Sequence, residues 1–204
     1  MLLESIQHAL SQPLPGEKAH KHMWPETRYE FLKISHSTPP VNSSVLALFY
    51  PIDNVLNLCF IKRTIDRSPH SGQIAFPGGK MEKEDPSLKA AAIRECREEI
   101  GVEIKSGEIA GGLSPLFIPV SNFMVHPFVG VLESRPHFSK NDIEVDEIIE
   151  IPFARLLDPE TKSDFELNYA NQLFNIPCYR FNSHIIWGAT AMILSEIIEL
   201  LKAE

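Results

Sequence analysis

The stretch from Gly72 to Val102 constrains this chain more than any other. Asp85-Pro86-Ser87 reads as a helix start, because Asp or Ser caps a first turn and proline is tolerated inside it. Gly101 is placed as the stop, so a helix is expected up to about Ile100. On that helix Glu95, Glu98 and Glu99 fall at i, i+3 and i+4, which puts three carboxylates on one face. Ala92, Ile93, Cys96 and Ile100 form a neighbouring apolar stripe suited to packing on a sheet. A solvated acidic face is the plain reading of such a run, but like charges this close repel. The compensating partner with matching chemistry is a hard divalent cation: Mg²⁺ takes oxygen ligands and typically sits between one or two carboxylates and substrate phosphates. Arg94 stands where it can orient a carboxylate. Residues 73–76 are expected as a short strand broken by Pro77-Gly78-Gly79, whose glycines let backbone approach a ligand without a Cβ in the way.

Around this segment the chain reads as strands with helices before, between and after. Residues 45–50 and 56–61, joined by Asp53-Asn54, predict a hairpin. Residues 113–132 are strand-rich, most clearly 125–132, and 147–153 alternate charged and apolar residues up to Pro152, as an edge strand does. Leu2, Leu3, Ile6, Ala9 and Leu10 recur at helical spacing, and Pro13 and Pro15-Gly16 end that helix. Residues 17–44 are polar and hold Pro25, Pro39 and Pro40, so irregular structure is expected there. Residues 185–201 predict a closing helix, with Ile186, Ala189, Ile193, Ile197 and Leu200 on one face. The expected layout is an extension, 1–42, packed on a layered α/β domain, 43–204.

Composition removes several classes of function. A chain of 204 residues fits one domain with a real core, and 44% hydrophobic with 23% charged residues is ordinary for a soluble protein. A formal charge of −8 argues against nucleic-acid binding, which draws on clustered Lys and Arg. The same charge requires local cations if the substrate is a polyanion. Cys59, Cys96 and Cys178 are far apart and form no CxxC pair, as expected of reduced, buried thiols. The start carries Glu4 and His8 without a basic n-region or a cleavage site, and the end, Lys202-Ala203-Glu204, is not a peroxisomal signal. No apolar run approaches the ~20 residues of a membrane span. A cytoplasmic protein without membrane or nucleic-acid partners is expected.

Gly79, Asp85 and the run Arg94-Glu95-Cys96-Arg97-Glu98-Glu99-Ile100-Gly101-Val102 resemble the Nudix box, usually written G-x5-E-x7-R-E-U-x-E-E-x-G-U with U aliphatic. The second half matches at every fixed position, with Cys96 in an aliphatic slot. The first half departs: Asp85 replaces Glu, and eight residues rather than seven precede Arg94. The upstream acid of the box is usually structural. The coenzyme A pyrophosphatase-like branch of the family shares this departure, and it carries an Arg, a short spacer and G-Q-[VI]-x-F-P-G-G. Here these are similar to Arg63-Thr64 followed by His70-Ser71-Gly72-Gln73-Ile74-Ala75-Phe76-Pro77-Gly78-Gly79. At the position of the branch's second Arg stands Ser68, with Arg67 one step earlier. Further stretches, Leu113-Ser114-Pro115-Leu116, Pro127-Phe128-Val129-Gly130 and His184 to Ala191 among them, extend the resemblance over nearly the whole chain.

The resemblance implies a Nudix-type α/β/α sandwich with a mixed β-sheet. It also implies a hydrolase that uses Mg²⁺ or Mn²⁺ on Glu95, Glu98 and Glu99 to cut the pyrophosphate of a nucleoside diphosphate derivative. Coenzyme A or an acyl-CoA would yield 3′,5′-ADP and 4′-phosphopantetheine. Arg94 joins the catalytic set. Glu147 is the expected additional acid, with Glu144 behind it. Arg63, His70, Gly78, Gly79 and Lys80 are the expected substrate contacts, while His184 reads as a structural residue ahead of the last helix and Trp187 as core. Two other readings stay open: a Nudix hydrolase of ADP-ribose, a dinucleotide or an oxidised nucleotide, and a Nudix regulator that binds a nucleotide without cutting it. The three intact glutamates speak against the regulator.

Overall fold

Strand β1 (Val41–Ile52) sets the register of the sheet. Leu46, Leu48 and Tyr50 point to one face, Ala47 and Phe49 to the other, and all five are fully buried. A strand buried on both faces has to be central. The computed structural model describes residues 2–66, 70–169 and 172–202; Arg67, Ser68, Ala203 and Glu204, which the sequence singles out, lie outside them. β1 turns back antiparallel into β2 (Val55–Arg63) through Asp53 and Asn54, both at positive φ (49° and 64°), as the tight turns that match strand twist require. It also pairs antiparallel with β4 (Gly78–Lys80) and parallel with β7 (Phe123–Val131). β2 takes β3 (Ile74–Ala75) and β8 (Val145–Pro152), and β7 takes β5 (Ile109–Gly112) and β6 (Leu116–Ile118). The parallel β1–β7 pair among antiparallel ones makes the sheet mixed. β8 hydrogen-bonds only to β2 among the described strands, the edge position that its alternating sequence predicts.

Helix α4 follows; helices are numbered α1 (Leu2–Ser11), α2 (Glu17–His20), α3 (Arg28–Phe31), α4 (Leu88–Ile100), α5 (Phe153–Leu156) and α6 (Gly188–Lys202). On one sheet face Ala92, Cys96 and Ile100 of α4 pack with Leu46, Leu48, Tyr50, Cys59 and Ile61. On the other, Ile193, Leu194 and Ile197 of α6 and Ile6 and Ala9 of α1 join the cluster of Ala47, Phe49, Leu58 and Phe60. The result is the expected α/β/α sandwich. The three cysteines are free and buried.

Three expectations are corrected. Residues 17–44 are less irregular than their prolines suggest: they hold α2, a 3₁₀ turn at Lys21–Met23, α3 and the start of β1. The strand at Ile74–Ala75 does break, but at Phe76-Pro77, and Gly78-Gly79 belong to the next strand, β4, rather than to the break. The closing helix starts at Gly188 (φ 61°), not at 185, because Ile185 and Ile186 belong to β11 (His184–Trp187). Periodicity alone does not separate a short apolar strand from a helix turn. β11 pairs with β10 (Gln172–Phe181), which pairs with β9 (Lys162–Tyr169), and this second sheet was not read from the sequence.

The amino-terminal segment is fastened to α6 by one buried carboxylate. Glu196 is fully buried and accepts from Ser114 Oγ (2.6 Å) and Gly16 N (3.2 Å), with His20 Nε2 at 2.9 Å. Burial pushes this carboxyl up, but the hydrogen bonds of His20 and Ser114 outweigh it and hold the group below its usual range. Its contribution is therefore present above the ordinary carboxylate range and lost as pH falls through the lowered value. Glu196→Ala strands these partners and is expected to cost about 3–5 kcal/mol in chemical denaturation at neutral pH; a loss below about 1 kcal/mol would show that the knot is not a fastener.

Candidate active site

The antiparallel register of β4 on β1 sets Gly78 against Val45 and Gly79 against Ser44. A Cβ on Gly78 would lie 2.3 Å from the Ser44 carbonyl oxygen and 2.6 Å from Val45 Cα, so no side chain fits. A Cβ on Gly79 would lie 2.5 Å from the Glu95 carboxylate. The glycine pair thus makes room twice, for the neighbouring strand and for an acid of α4. The backbone N–H of Gly78 donates to Glu99 Oε2 at 2.8 Å, which ties the strand to the helix.

Arg94 organises the other end of the acidic face. Its Nε and Nη2 donate to the two oxygens of Asp85 (3.0 and 2.9 Å) in a bidentate pair, and Nη2 also reaches the Lys80 carbonyl at 3.1 Å. Its Nη1 donates to Glu95 Oε1 (2.9 Å) and Glu98 Oε2 (2.8 Å). The Arg94 hydrogen bonds hold the Asp85 carboxyl below its usual range. Ser87, not Asp85, caps α4, accepting from Ala90 N at 3.1 Å, and Gly101 ends the helix at φ 72°. Asp85 is therefore a positioning residue for Arg94.

The three glutamates differ in environment. Glu98 is exposed. Glu95 is mostly buried, and burial raises its carboxyl against the pull of Arg94. Glu99 is 1% exposed; burial pushes it up to about 8, although the Gly78 N–H and Arg63, 3.6 Å away, work the other way. Among the described residues no three His, Cys, Asp or Glu side chains are drawn in around one point. Arg94 holds Glu95 and Glu98, while Gly78 and Arg63 hold Glu99. The donor set nevertheless fits a hard divalent cation: it is all oxygen and partly desolvated, burial raising the carboxyls of Glu95 and Glu99.

Two cavities meet at this wall. The smaller, about 460 Å³, is lined by Glu95, Glu99, Glu144, Arg63, Gly79 and Lys80. The larger, about 1240 Å³, shares Arg63, Gly78, Gly79 and Lys80 and is also lined by His70, whose Nδ1 lies 3.2 Å from Gln73 Oε1. The structure thus brings Glu95, Glu99, Arg63, Gly78, Gly79 and Lys80 to one place, with His70 beside it; Glu98 lines neither cavity and is joined to Glu95 through Arg94. The structure does not bring Glu147 there: that side chain lines neither cavity and lies 3.6 Å from His184. Glu144 lines the smaller cavity instead, and Thr64 N donates to its carbonyl at the end of β2, next to Arg63. Its charge raises both Glu95 and Glu99. Nothing in the sequence separates two acids three residues apart in one run. Trp187, expected in the core, is half-buried on the larger cavity, edge-to-face with Phe165 at 5.6 Å.

A sequence model of the NUDIX domain matches residues 42–170. The chain belongs to the Nudix family. A relative in Pectobacterium atrosepticum, described as an uncharacterized Nudix hydrolase NudL, is 30% identical over 174 residues, covering 84% of this chain and 90% of the relative. The Photorhabdus laumondii relative of the same description is 30% identical over 145 residues, 71% of this chain and 77% of its own length. Among solved structures, a MutT/nudix family protein from Enterococcus faecalis superposes with a TM-score of 0.55 at 16% identity, covering 87% of this chain and 66% of that one. A MutT protein from Methanosarcina mazei gives the same TM-score and identity over 83% of this chain and 100% of its own. These low identities bear on the fold alone. As a Nudix hydrolase the protein is an enzyme acting on a pyrophosphate bond, in a family that generally depends on a divalent metal. No described helix is long and apolar enough to cross a membrane.

Glu99 supplies a stability test. Its folded-state value of about 8 lies above the ordinary 4.5, so its ionised form weakens the metal-free fold, and the cost grows as pH rises between the two. Glu99→Gln keeps an acceptor for Gly78 N–H and removes the charge. The metal-free variant is expected to be more stable than the parent by about 1–3 kcal/mol near pH 8, with the gap closing towards the ordinary carboxylate range. A variant less stable than the parent at pH 8 would contradict this assignment.

Proposed function

We propose that the enzyme hydrolyses the diphosphate of coenzyme A or its acyl derivatives, releasing 3′,5′-ADP and 4′-phosphopantetheine. The observation that carries the reading is the shared wall of the two cavities. There a desolvated carboxylate cluster faces cationic Arg63 and Lys80 at the mouth of a space much larger than a diphosphate. The Arg63-Thr64 and Gly72 to Gly79 resemblance narrows the substrate to the coenzyme.

Glu95, Glu98 and Glu99 are the residues proposed to hold Mg²⁺ or Mn²⁺. When bound, such an ion neutralises diphosphate charge and lowers the pKa of a water. Arg63 and Lys80 counter the remaining phosphate charge, and His70 offers a ring nitrogen from the neighbouring turn. Gly78 and Gly79 leave room for β1 and for the Glu95 carboxylate, so that this acid can stand against the strand. Arg94 holds the helix acids in orientation while anchored on Asp85 and the Lys80 carbonyl. Phosphoryl transfer depends chiefly on positioning and charge stabilisation, so no protein nucleophile is required. Glu144 is the proposed further acid in place of Glu147. The −8 charge favours a small nucleotide over a nucleic acid, and a cytoplasmic setting suits the reduced thiols.

A metal-supplemented hydrolysis screen over coenzyme A, ADP-ribose, a dinucleoside polyphosphate and an oxidised nucleotide, with product identification, tests the reading. Coenzyme A is expected to be cut with the highest kcat/KM; preference for another substrate, or binding without hydrolysis, would overturn it. Glu98→Gln and Glu99→Gln are each expected to lower turnover roughly 10²- to 10⁴-fold. Glu144→Gln is expected to lose more activity than Glu147→Gln, and the reverse order would return the role to Glu147.

A further inference from the structure

The larger cavity has a wall that the diphosphate chemistry does not use. In the β9–β10 hairpin Leu167 pairs with Phe174, and Phe165 with Ile176. Asp164, Glu166, Asn168 and Asn175, on the other face, are exposed. An antiparallel hairpin with one apolar face ordinarily buries it against the core. Here Phe165, Leu167, Phe174 and Trp187 stay only partly covered and line the cavity together with Phe31 and Met192. Arg28, which also lines the cavity, has its charge taken up by the Phe117 carbonyl (2.7 Å) and the Trp24 ring. The space runs without a break to Arg63, Gly78, Gly79 and Lys80. At about 1240 Å³ it exceeds the roughly 300–1,000 Å³ of ordinary ligand pockets.

One molecule that fits both ends is anionic where it meets Arg63 and Lys80 and apolar where it meets the hairpin. The amides and thiol of free coenzyme A do not supply that apolar end; a hydrocarbon chain on the thiol does. We infer that the hairpin face of Phe165, Leu167 and Phe174, with Trp187, is a subsite for the fatty acyl chain of an acyl-thioester substrate. The inference rests on the pyrophosphatase reading and narrows its substrate class. Phe165 and Leu167 lie within residues 42–170, which match the family's domain, and Phe174 and Trp187 lie beyond them.

The test compares turnover of coenzyme A, acetyl-CoA and dodecanoyl-CoA, below micelle-forming concentrations, by the parent, Phe174→Asp and Leu167→Asn. Dodecanoyl-CoA is expected to exceed coenzyme A in kcat/KM by at least about tenfold, the effect of burying about two methylenes at roughly 0.8 kcal/mol each. Both variants are expected to lose that preference while keeping kcat/KM for coenzyme A within about twofold. A flat chain-length profile in the parent, or equal losses on both substrates in both variants, would overturn the subsite. Dodecanoyl-pantetheine, which has no diphosphate, separates the two claims through tryptophan fluorescence of the metal-free protein. Saturable binding that Phe174→Asp abolishes, with no coenzyme A hydrolysed, supports the subsite and rejects the reaction. Hydrolysis of coenzyme A without such binding does the opposite.

Discussion

The guanidinium of Arg94 holds the acidic site together. An arginine has five N–H donors in a fixed planar fork. Here that fork serves Asp85 twice, the Lys80 carbonyl, Glu95 and Glu98. The loop after β4 and the exposed face of α4 are thereby locked to one another, and two like-charged carboxylates are held side by side. Gly79 completes the arrangement, since any Cβ there would displace Glu95. An acidic face that repulsion would otherwise splay is held in one orientation, which is what a proposed cation site needs before the cation arrives.

Two buried carboxylates show how differently the fold treats structural and functional charge. Glu196 is surrounded by donors from His20, Ser114 and Gly16, and its carboxyl is held below the ordinary range. Glu99 is about equally buried but receives one backbone N–H and the Arg63 guanidinium at 3.6 Å, and it is pushed up to about 8. A buried acid left short of compensation, on the wall of a cleft, is a functional-site pattern. The same under-compensation weakens the metal-free fold, so stability and chemistry pull in opposite directions at this residue.

Much of this was legible in the residues. The helix that bears the glutamates has its stop at Gly101 and its apolar stripe where the spacing puts them, because cap and periodicity are local properties. The hairpin at Asp53-Asn54 and the edge position of β8 followed from turn chemistry and alternation. What escaped depends on partners far away in sequence. Gly78-Gly79 read as a break, yet β1 pairs with it and makes it a strand. Ile185 and Ile186 fit a helix stripe until β10 claims them. That Glu144 rather than Glu147 borders the smaller cavity goes with the bonds of Thr64 to Glu144 and Ile143, which leave no local trace.

The central claim is that Glu95, Glu98 and Glu99 together form a divalent cation site beside the glycine strand. It is tested most directly by a crystal structure grown with Mn²⁺ and read by anomalous scattering. The expected result is a peak about 2.1 Å from carboxylate oxygens of this cluster, with Arg94 still paired to Asp85. A peak bound elsewhere, on Glu147 and His184 for example, with the three glutamates left on Arg94, Gly78 and Arg63, would contradict it.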